Sequence, residues 1–217
     1  MSNTPVIDAS LRAAARRAFA RYGYSGATVE RIAQEAGLSR VTLHRRGIDR
    51  EALLGALAED AADAYRRALW PALTSAGSGR ERLEAALTAI CATADRELDV
   101  LVALRARRDA VFHDAGAGGV GAAGDASAGD AGADDESGSD GLGTRAVFFE
   151  PLARLLRDGA ADGSLRAQDD PDEVAVVLFN QVGGTYIHLR GEHGWSHERC
   201  RDALVQLTIQ GLVSPST

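Results

Sequence analysis

Residues 28–54 read TVERIAQEAGLSRVTLHRRGIDREALL, and this stretch is the most informative part of the chain. Thr28 and Ser39 each precede a short run with helical periodicity, and their hydroxyl side chains suit the first, non-helical position of a helix. Gly37 lies between the two runs, where a glycine readily takes the left-handed conformation that ends a helix. The stretch therefore predicts two short helices joined by a tight turn.

The apolar residues of this stretch would fix the angle between the two helices, which we expect over about 28–36 and 39–46. Ile32, Ala33 and Leu43 recur at spacings that place them on the inner faces. The polar face of the second helix would then be free to enter a major groove of DNA. An ordinary helical hairpin follows the same packing rules, so this stretch alone leaves both interpretations open.

The distribution of charge separates this region from the rest of the chain. The 217 residues carry a formal net charge of −7, which taken alone argues against nucleic acid as a partner. Residues 1–50, however, hold nine arginines and four acidic residues, a local net charge of +5. Every basic residue is arginine rather than lysine, a usage that we attribute first to GC-rich codon bias. A basic module is therefore attached to an acidic body.

Helical periodicity continues through the rest of the chain, without the alternation and hairpin turns of β-strands. Asp49 and Ser78 are expected to cap long helices, the first of which should bend or stop near Pro71. Asp170, followed by a proline and two acids, is expected to open a helix that reaches about Leu189. We therefore predict an all-α fold. Further helices are expected over about 7–22, with Gly23 as the stop, and over about 99–113, 144–157 and 196–212.

Residues 115–143 differ sharply from the remaining sequence. Of these 29 residues, 26 are Gly, Ala, Asp or Ser, six are acidic, and none is basic or aromatic. Such a composition cannot bury a hydrophobic core. We therefore predict a disordered Gly/Ala/Asp-rich insertion between two helical segments.

Composition and cysteine usage narrow the class of protein. The chain is 45% hydrophobic and 25% charged, as in ordinary globular domains. Its longest apolar runs are shorter than the roughly 18 residues that a membrane span needs. Residues 1–8 lack the basic and apolar segments of a secretory signal. Since Cys91 and Cys200 are too few for a disulfide framework, we expect a cytoplasmic protein with no membrane contact.

The segment from Leu11 to Leu57 resembles the N-terminal three-helix domain of the tetracycline-repressor (TetR) family of bacterial transcription factors. The resemblance lies in residues 18–54, AFARYGYSGATVERIAQEAGLSRVTLHRRGIDREALL. They contain a helix ending in F-A-x-x-G-Y, then T-V-x-x-I-A-x-x-A-G-L-S, then T-L and an E-A-L-L helix start. The resemblance implies a helix-turn-helix DNA-binding domain over 1–58 and a helical ligand-binding and dimerisation domain over 59–217.

The resemblance also implies which residues contact DNA. The second short helix would be the recognition helix, in which Arg40, Val41 and Thr42 occupy the positions that most often touch base edges. Arg40 would bind guanine O6 and N7 through two of its guanidinium N–H donors. Thr28 would contact one phosphate, and Arg50, where the family usually has lysine, would hold another. The expected DNA-binding residues are Thr28, Ser39, Arg40, Val41, Thr42, His44, Arg45 and Arg50.

Three departures from the family pattern leave a second function open. His44 stands where the family usually has a phosphate-binding tyrosine, and it reaches less far. Gly47 replaces a packing aromatic residue, whose place Ile48 would take. Arg45 and Arg46 stand where an aromatic and a polar residue are common; they would steepen the salt dependence of DNA binding, unless they form only a solvated face. The alternative is a helical protein–protein adaptor with a degenerate helix-turn-helix.

The rest of the chain would, by the same resemblance, form a homodimer and bind an effector. Phe179, Leu204, Leu207 and Leu212 in the last two helices would supply the apolar dimer interface, and a two-fold dimer suits a palindromic operator. An unknown small molecule in an apolar cavity would release the repressor from DNA. The candidate cavity residues, each with an ordinary core position as the alternative, are Trp70, Cys91, Phe112, Phe148, Tyr186 and His188.

The sequence offers little support for enzymatic chemistry. It contains no nucleophile elbow, phosphate-binding loop or C-x-x-C motif. His193 and His197 are four residues apart, but Gly191 and Gly194 interrupt a helix there and no cysteine pair is near. We therefore expect neither an enzyme nor a cofactor or metal site.

Overall fold

The computed structural model describes the backbone of residues 6–117 and 146–213, and the side chains of residues 6–107 and 147–213. Within those ranges the chain is all-α, with no strand, which confirms the predicted fold class. None of the described helices is long and apolar enough to cross a membrane.

The first three helices form the predicted N-terminal arrangement. They are α1 (Ala9–Gly26), α2 (Val29–Glu35) and α3 (Arg40–Arg45). The caps are confirmed, because the Thr28 and Ser39 hydroxyls accept hydrogen bonds from backbone N–H groups three residues ahead. Gly23 breaks the regular helix of α1, as predicted, because its backbone dihedral angles are not helical. It takes a left-handed φ of 63°, and one more turn follows before Ala27.

Three longer helices follow: α4 (Arg50–Thr74), α5 (Gly79–Arg96) and α6 (Leu98–Ala117). Asp49 caps α4, and Ser78 forms a complete capping box with Glu81 at the start of α5, as predicted. Pro71 lies in the last turn of α4, and the helix ends three residues after it. The helix continues past the proline for one turn, and the Ser75 N–H donates to the Pro71 carbonyl at 2.9 Å.

The last third contains α7 (Ala146–Ala161), α8 (Pro171–Phe179), α9 (Thr185–Gly191) and α10 (His197–Leu212). Asp170 accepts two backbone hydrogen bonds as the cap of α8, as predicted. The helix expected to run from there to about Leu189 is not uniform. A π-helical segment, Asn180–Gly184, separates α8 from α9 and contains the adjacent glycines 183 and 184.

Two hydrophobic clusters fill the structure, and α4 and α6 connect them. The N-terminal cluster joins α1–α3 and the first half of α4, and it includes Val100 and Ala103 of α6. The C-terminal cluster joins the second half of α4 with α5, α7, α8, the π segment, α9 and α10. The predicted domain boundary at residue 58 therefore falls inside a continuous helix. Of the predicted insertion, residues 115–117 lie in α6, and residues 118–143 lie outside the described part.

The start of α5 packs unusually close to the end of α7. A Cβ atom built on Gly79 would lie 2.2 Å from the Gly159 Cα, so position 79 needs a residue without a side chain. A Cβ atom on Gly159 would instead lie 2.5 Å from the Leu165 side chain. The loop after α7 also caps α5, because the Gly79 N–H donates to Asp162 at 2.6 Å and the Arg80 N–H to Ser164 at 3.0 Å. This crossing fixes α5 against α7.

Candidate nucleic-acid interface and ligand cavity

Helix α3 is held to the N-terminal core by one buried side chain, and most of its other side chains are exposed. Leu43 is fully buried, whereas Arg40, His44 and Arg45 are exposed. Val41 is 64% exposed, which is unusual for an apolar residue and suits contact with a thymine methyl group. The helix therefore presents a mixed basic and apolar surface of the kind that reads base edges.

The start of α3 is locked by its cap. The Ser39 Oγ accepts from the Thr42 backbone N–H at 3.1 Å, and the two hydroxyl oxygens lie 2.9 Å apart. Ser39 and Thr42 are thereby positioned before any partner arrives. Thr28 caps α2 in the same way, because its Oγ1 accepts from the Arg31 N–H at 3.3 Å. The Thr28 side chain is also exposed.

Arg40 forms an exposed ion pair with α2. Its Nη1 lies 2.8 Å from Glu30 Oε1, and both side chains are well exposed. Such surface pairs contribute little stability, so a nucleobase acceptor can compete for the guanidinium. Glu30 would therefore compete with a base for the Arg40 guanidinium.

Arg45 and Arg46 are both exposed at the end of α3, and neither makes an ion pair within the described part of the chain. Gly47 follows them with a left-handed φ of 66°, and Ile48 is buried in the N-terminal core. Gly47 thus turns the backbone, and Ile48 packs inward after it. Two uncompensated cations at the end of α3 suit a phosphate backbone.

Arg50 is the most constrained of the expected DNA-binding residues. Its guanidinium lies 4.3 Å from the centre of the Tyr24 ring and donates to the Tyr24 hydroxyl at 3.0 Å. Glu51 Oε1 is 3.6 Å from the Arg50 Nε and accepts from the Tyr24 hydroxyl at 3.1 Å. The other Glu51 oxygen lies 2.7 Å from Arg107 Nε of α6. Sequence reasoning missed Tyr24, Glu51 and Arg107, because their pairing depends on where α6 crosses α4.

The helical body contains a cavity of about 820 Å³ that is partly open to solvent. Its walls come from α4, α5, α6, α7, α8, the π segment and α9. Small residues, among them Ala58, Ala61, Ala62 and Ala94, leave room for a ligand of drug-like size.

Three aromatic rings form one wall of the cavity. Phe148 of α7 and Phe179 of α8 stack with their centres 5.1 Å apart, and Tyr65 of α4 meets both rings edge-on. The Tyr65 hydroxyl donates to the Phe148 carbonyl, and burial raises the pKa of this phenol. The wall is therefore rigid, apolar and without a free polar group at Tyr65.

The cavity holds only part of the ligand set expected from the sequence. Phe148 and His188 line it. Trp70 does not, because it lies on the outer face of α4 and is 66% exposed. Cys91 is buried in the C-terminal core, and burial raises the pKa of its thiol to about 12. The side chain of Phe112 lies outside the described part.

Tyr186 also lies behind the cavity wall rather than on it. The ring is fully buried, and its hydroxyl donates to Asp95 at 2.9 Å. His197 Nδ1 is 2.6 Å from the same hydroxyl, and since that proton points to Asp95, the His197 nitrogen is the donor. Arg190 completes the group by donating to Asp95 at 2.8 Å. This polar cluster joins α5, α9 and α10.

Sequence reasoning missed several cavity residues and misplaced part of the expected dimer interface. Tyr65 had the spacing of an inner-face residue, and Arg105 had no distinguishing local signal. Phe179, expected at a dimer interface, instead belongs to the aromatic wall. Leu204 and Leu212 are buried within the protomer, so they cannot supply interface area, whereas Leu207 is 66% exposed.

The two histidines that share a helical spacing in the sequence are not brought together. His193 Nε2 lies 3.0 Å from His188 Nε2, whereas His197 bonds Tyr186. Among the described residues, no group of three or more histidine, cysteine, aspartate or glutamate side chains could hold a metal ion.

The chain is similar to a family of bacterial regulators. The family model described as "Bacterial regulatory proteins, tetR family" matches residues 11–57, which span α2, α3, most of α1 and the start of α4. No curated protein matches the chain.

Solved structures extend the similarity to the whole fold. A TetR-family bacterial regulatory protein from Rhodococcus RHA1 superposes with a TM-score of 0.64 at 17% identity, covering 100% of both chains. The TetR-family regulator PfmR from Thermus thermophilus gives a TM-score of 0.62 at 18% identity, covering 94% of this chain and 98% of that one. A TetR-like regulator from Rhodococcus sp. RHA1 gives 0.59 at 19% identity, covering 93% of each chain. The C-terminal body therefore shares their fold.

Proposed function

Because this chain is a member of the TetR family of bacterial regulatory proteins, we propose that it is a repressor that binds a palindromic operator as a homodimer and leaves it when a small molecule binds. As a family member it is a DNA-binding regulator rather than an enzyme.

One observation carries the proposal for DNA contact. Helix α3 exposes Arg40, Val41 and Arg45 beside the unpaired Arg46, while Ser39 and Leu43 fix the helix in place. A rigid, basic, exposed recognition helix of this kind can enter a major groove and neutralise flanking phosphates. Thr28, Thr42, His44 and Arg50 complete the proposed contact surface.

Exposed apolar side chains on α8 and α10 support the homodimer. Val177 is 54% exposed and Leu207 is 66% exposed on the last long helical elements of a body whose other leucines are largely buried. Single exposed apolar side chains are common on protein surfaces. A two-fold contact, however, would bury both of these side chains in each of the two subunits.

The position of α6 supports a response to a ligand. Leu101, Leu104 and Arg105 of α6 line the cavity, whereas Val100 and Ala103 of the same helix pack in the N-terminal core. A ligand that prefers one placement of α6 would therefore also favour one placement of the recognition helix. Such a differential affinity is all that a change in DNA affinity requires.

DNA binding is tested by fluorescence anisotropy with a mixed-sequence duplex over a range of salt concentrations. The affinity of wild type for DNA should fall steeply as the salt concentration rises. The double variant Arg40→Ala/Arg45→Ala should bind about tenfold or more weakly than wild type. Arg154→Ala, an exposed arginine of α7, is the matched control and should change nothing. Salt-insensitive binding, or an unaffected double variant, would instead support the adaptor.

The dimer is tested by sedimentation equilibrium. Leu207→Glu should shift the chain to monomer and weaken DNA binding, whereas the neighbouring exposed Gln206→Glu should leave both unchanged. A wild-type chain that remains monomeric at micromolar concentration would refute the dimeric part of the proposal.

A further inference from the structure

Two basic side chains of the cavity share one acidic partner at its edge. Arg105 of α6 and His188 of α9 both line the cavity. Glu192, just after α9, places one carboxylate oxygen 3.8 Å from Arg105 Nη2 and the other 3.0 Å from His188 Nδ1. Glu192 is exposed and is not part of the lining. A carboxylate thus already lies against the two bases from outside the cavity.

This internal pairing leaves both bases poorly satisfied. The contact between Arg105 and Glu192 is longer than a hydrogen bond. Within the described residues, Arg105 makes no other ion pair. His188 Nδ1 is shielded from solvent, yet the approach of Glu192 does not give it a hydrogen bond of acceptable geometry. The carboxylate is therefore close enough to be attracted but not placed to use the donors well.

Of the two acidic residues of the lining, Glu97 does not offset this preference for an anion. Glu97 lines the cavity, but its carboxylate is paired with Arg16 of α1 and is only 13% exposed. Its charge is already compensated. Glu59 of α4 also lines the cavity, and an amine probe therefore belongs in the test.

Building on the proposed function, we propose that the effector is an aromatic carboxylic acid. Its ring system packs against Tyr65, Phe148 and Phe179, and its carboxylate replaces that of Glu192 on Arg105 and His188. Arginine binds a carboxylate through two parallel hydrogen bonds, a geometry that the 3.8 Å contact with Glu192 does not reach. The volume of about 820 Å³ fits a ligand larger than a single ring.

Three matched probes test the chemical class by isothermal titration calorimetry with the full chain and no DNA. They are 2-naphthylacetate, its methyl ester and 2-naphthylethylamine, which share one ring system and differ in charge. The acid should bind about tenfold or more tightly than either of the others, because charge-assisted hydrogen bonds are the strong ones. Equal binding of acid and ester, tighter binding of the amine, or no binding of the acid would overturn the inference.

Two substitutions with opposite signs test the assigned residues. Arg105→Gln should weaken binding of the acid about tenfold and leave the ester unchanged. Glu192→Gln should strengthen binding of the acid severalfold, because it removes the competing carboxylate. Glu84→Gln, an exposed acid of α5 that does not line this cavity, is the control. Thermal melting of each variant confirms that it is folded. A Glu192→Gln variant that binds the acid no better than wild type would contradict the proposed exchange.

The same titrations separate this inference from the proposed function. Acid binding that leaves DNA affinity unchanged would support the cavity chemistry and refute ligand-induced release. DNA release caused by the amine or the ester would support a ligand response and refute the carboxylic acid.

Discussion

Arg107 of α6 lies 2.7 Å from Glu51 in the first turn of α4. Glu51 in turn contacts Arg50 and Tyr24, so one carboxylate connects a helix that lines the cavity to an arginine at the proposed DNA surface. Arg50 is thereby held by several partners before it meets a phosphate. Any shift of α6 along α4 would change how strongly Glu51 competes for it.

This relationship predicts opposite effects for its two members. Glu51→Gln should raise affinity for DNA about two- to fivefold, because it removes a negative charge that competes with phosphate for Arg50. Arg107→Gln should lower affinity by a similar factor, because Glu51 then loses its other cationic partner. Anisotropy titrations at one low salt concentration measure both, with Glu84→Gln as the control. Effects of the same sign in the two variants would show that the network does not act through Glu51.

The arginines at the end of α3 predict a change in salt dependence. If Arg45 and Arg46 each contact a phosphate, replacing either by alanine should reduce the slope of log affinity against log salt by about 0.9. A solvated charged face would leave the slope unchanged. Titrations of wild type, each single variant and the Arg154→Ala control between low and moderate salt distinguish the two cases residue by residue.

The crossing of α5 and α7 predicts a large cost for a single methyl group. Gly79→Ala would place its Cβ 2.2 Å from the backbone of Gly159, and it should destabilise the fold by about 3 kcal/mol because the two helices must separate. Gly55→Ala at an exposed position in the second turn of α4 meets nothing within 4 Å and should stabilise the fold by about 0.5–1 kcal/mol. Urea unfolding of the two variants gives the comparison. Similar stabilities would mean that the helices do not approach so closely.

The half-buried polar cluster of Asp95, Tyr186, Arg190 and His197 predicts a dependence of stability on pH. Partial burial raises the pKa of Asp95, but hydrogen bonds from Arg190 and Tyr186 outweigh it, so the net pKa lies below the ordinary value. A carboxyl with a lowered pKa in the folded state contributes stability above its unfolded pKa of about 4, and loses it as pH falls through the folded value.

Asp95→Asn should therefore lose about 1–3 kcal/mol of unfolding free energy at pH 7, where the charged partner of Arg190 is missing. The difference in unfolding free energy between this variant and wild type should shrink as the pH falls below about 4. Urea unfolding at several pH values measures this, with the exposed Glu84→Gln as the control. A difference that stays constant down to pH 3 would show that the charge of Asp95 contributes nothing.

The local structure could be predicted because it depends on short-range chemistry. Thr28, Ser39, Asp49, Ser78 and Asp170 cap helices in the structure as their positions in the sequence indicate. A capping side chain acts within three residues, so the sequence near it contains the whole interaction.

The cavity was predicted less well, because its composition depends on how distant helices cross. Trp70 and Phe148 have similar local surroundings in sequence, yet one is exposed on α4 and the other joins Tyr65 and Phe179 in the wall. The π segment at Asn180–Gly184 changes which residues of α8 and α9 face inward. Neither the segment nor the Arg105–Glu192 contact follows from a helical spacing.

Sequence-specific DNA binding is tested most directly by selecting DNA from a random library with the full chain. The selected duplex and a scrambled duplex are then titrated by fluorescence anisotropy. The selected sequence should be two-fold symmetric, with half-sites about 34–36 Å apart or a multiple of that distance. Wild type should bind it about a thousandfold more tightly than the scrambled duplex, and Arg40→Ala should lose about tenfold of that preference. Failure to enrich any sequence, or equal binding of both duplexes by wild type, would contradict sequence-specific DNA binding by this protein.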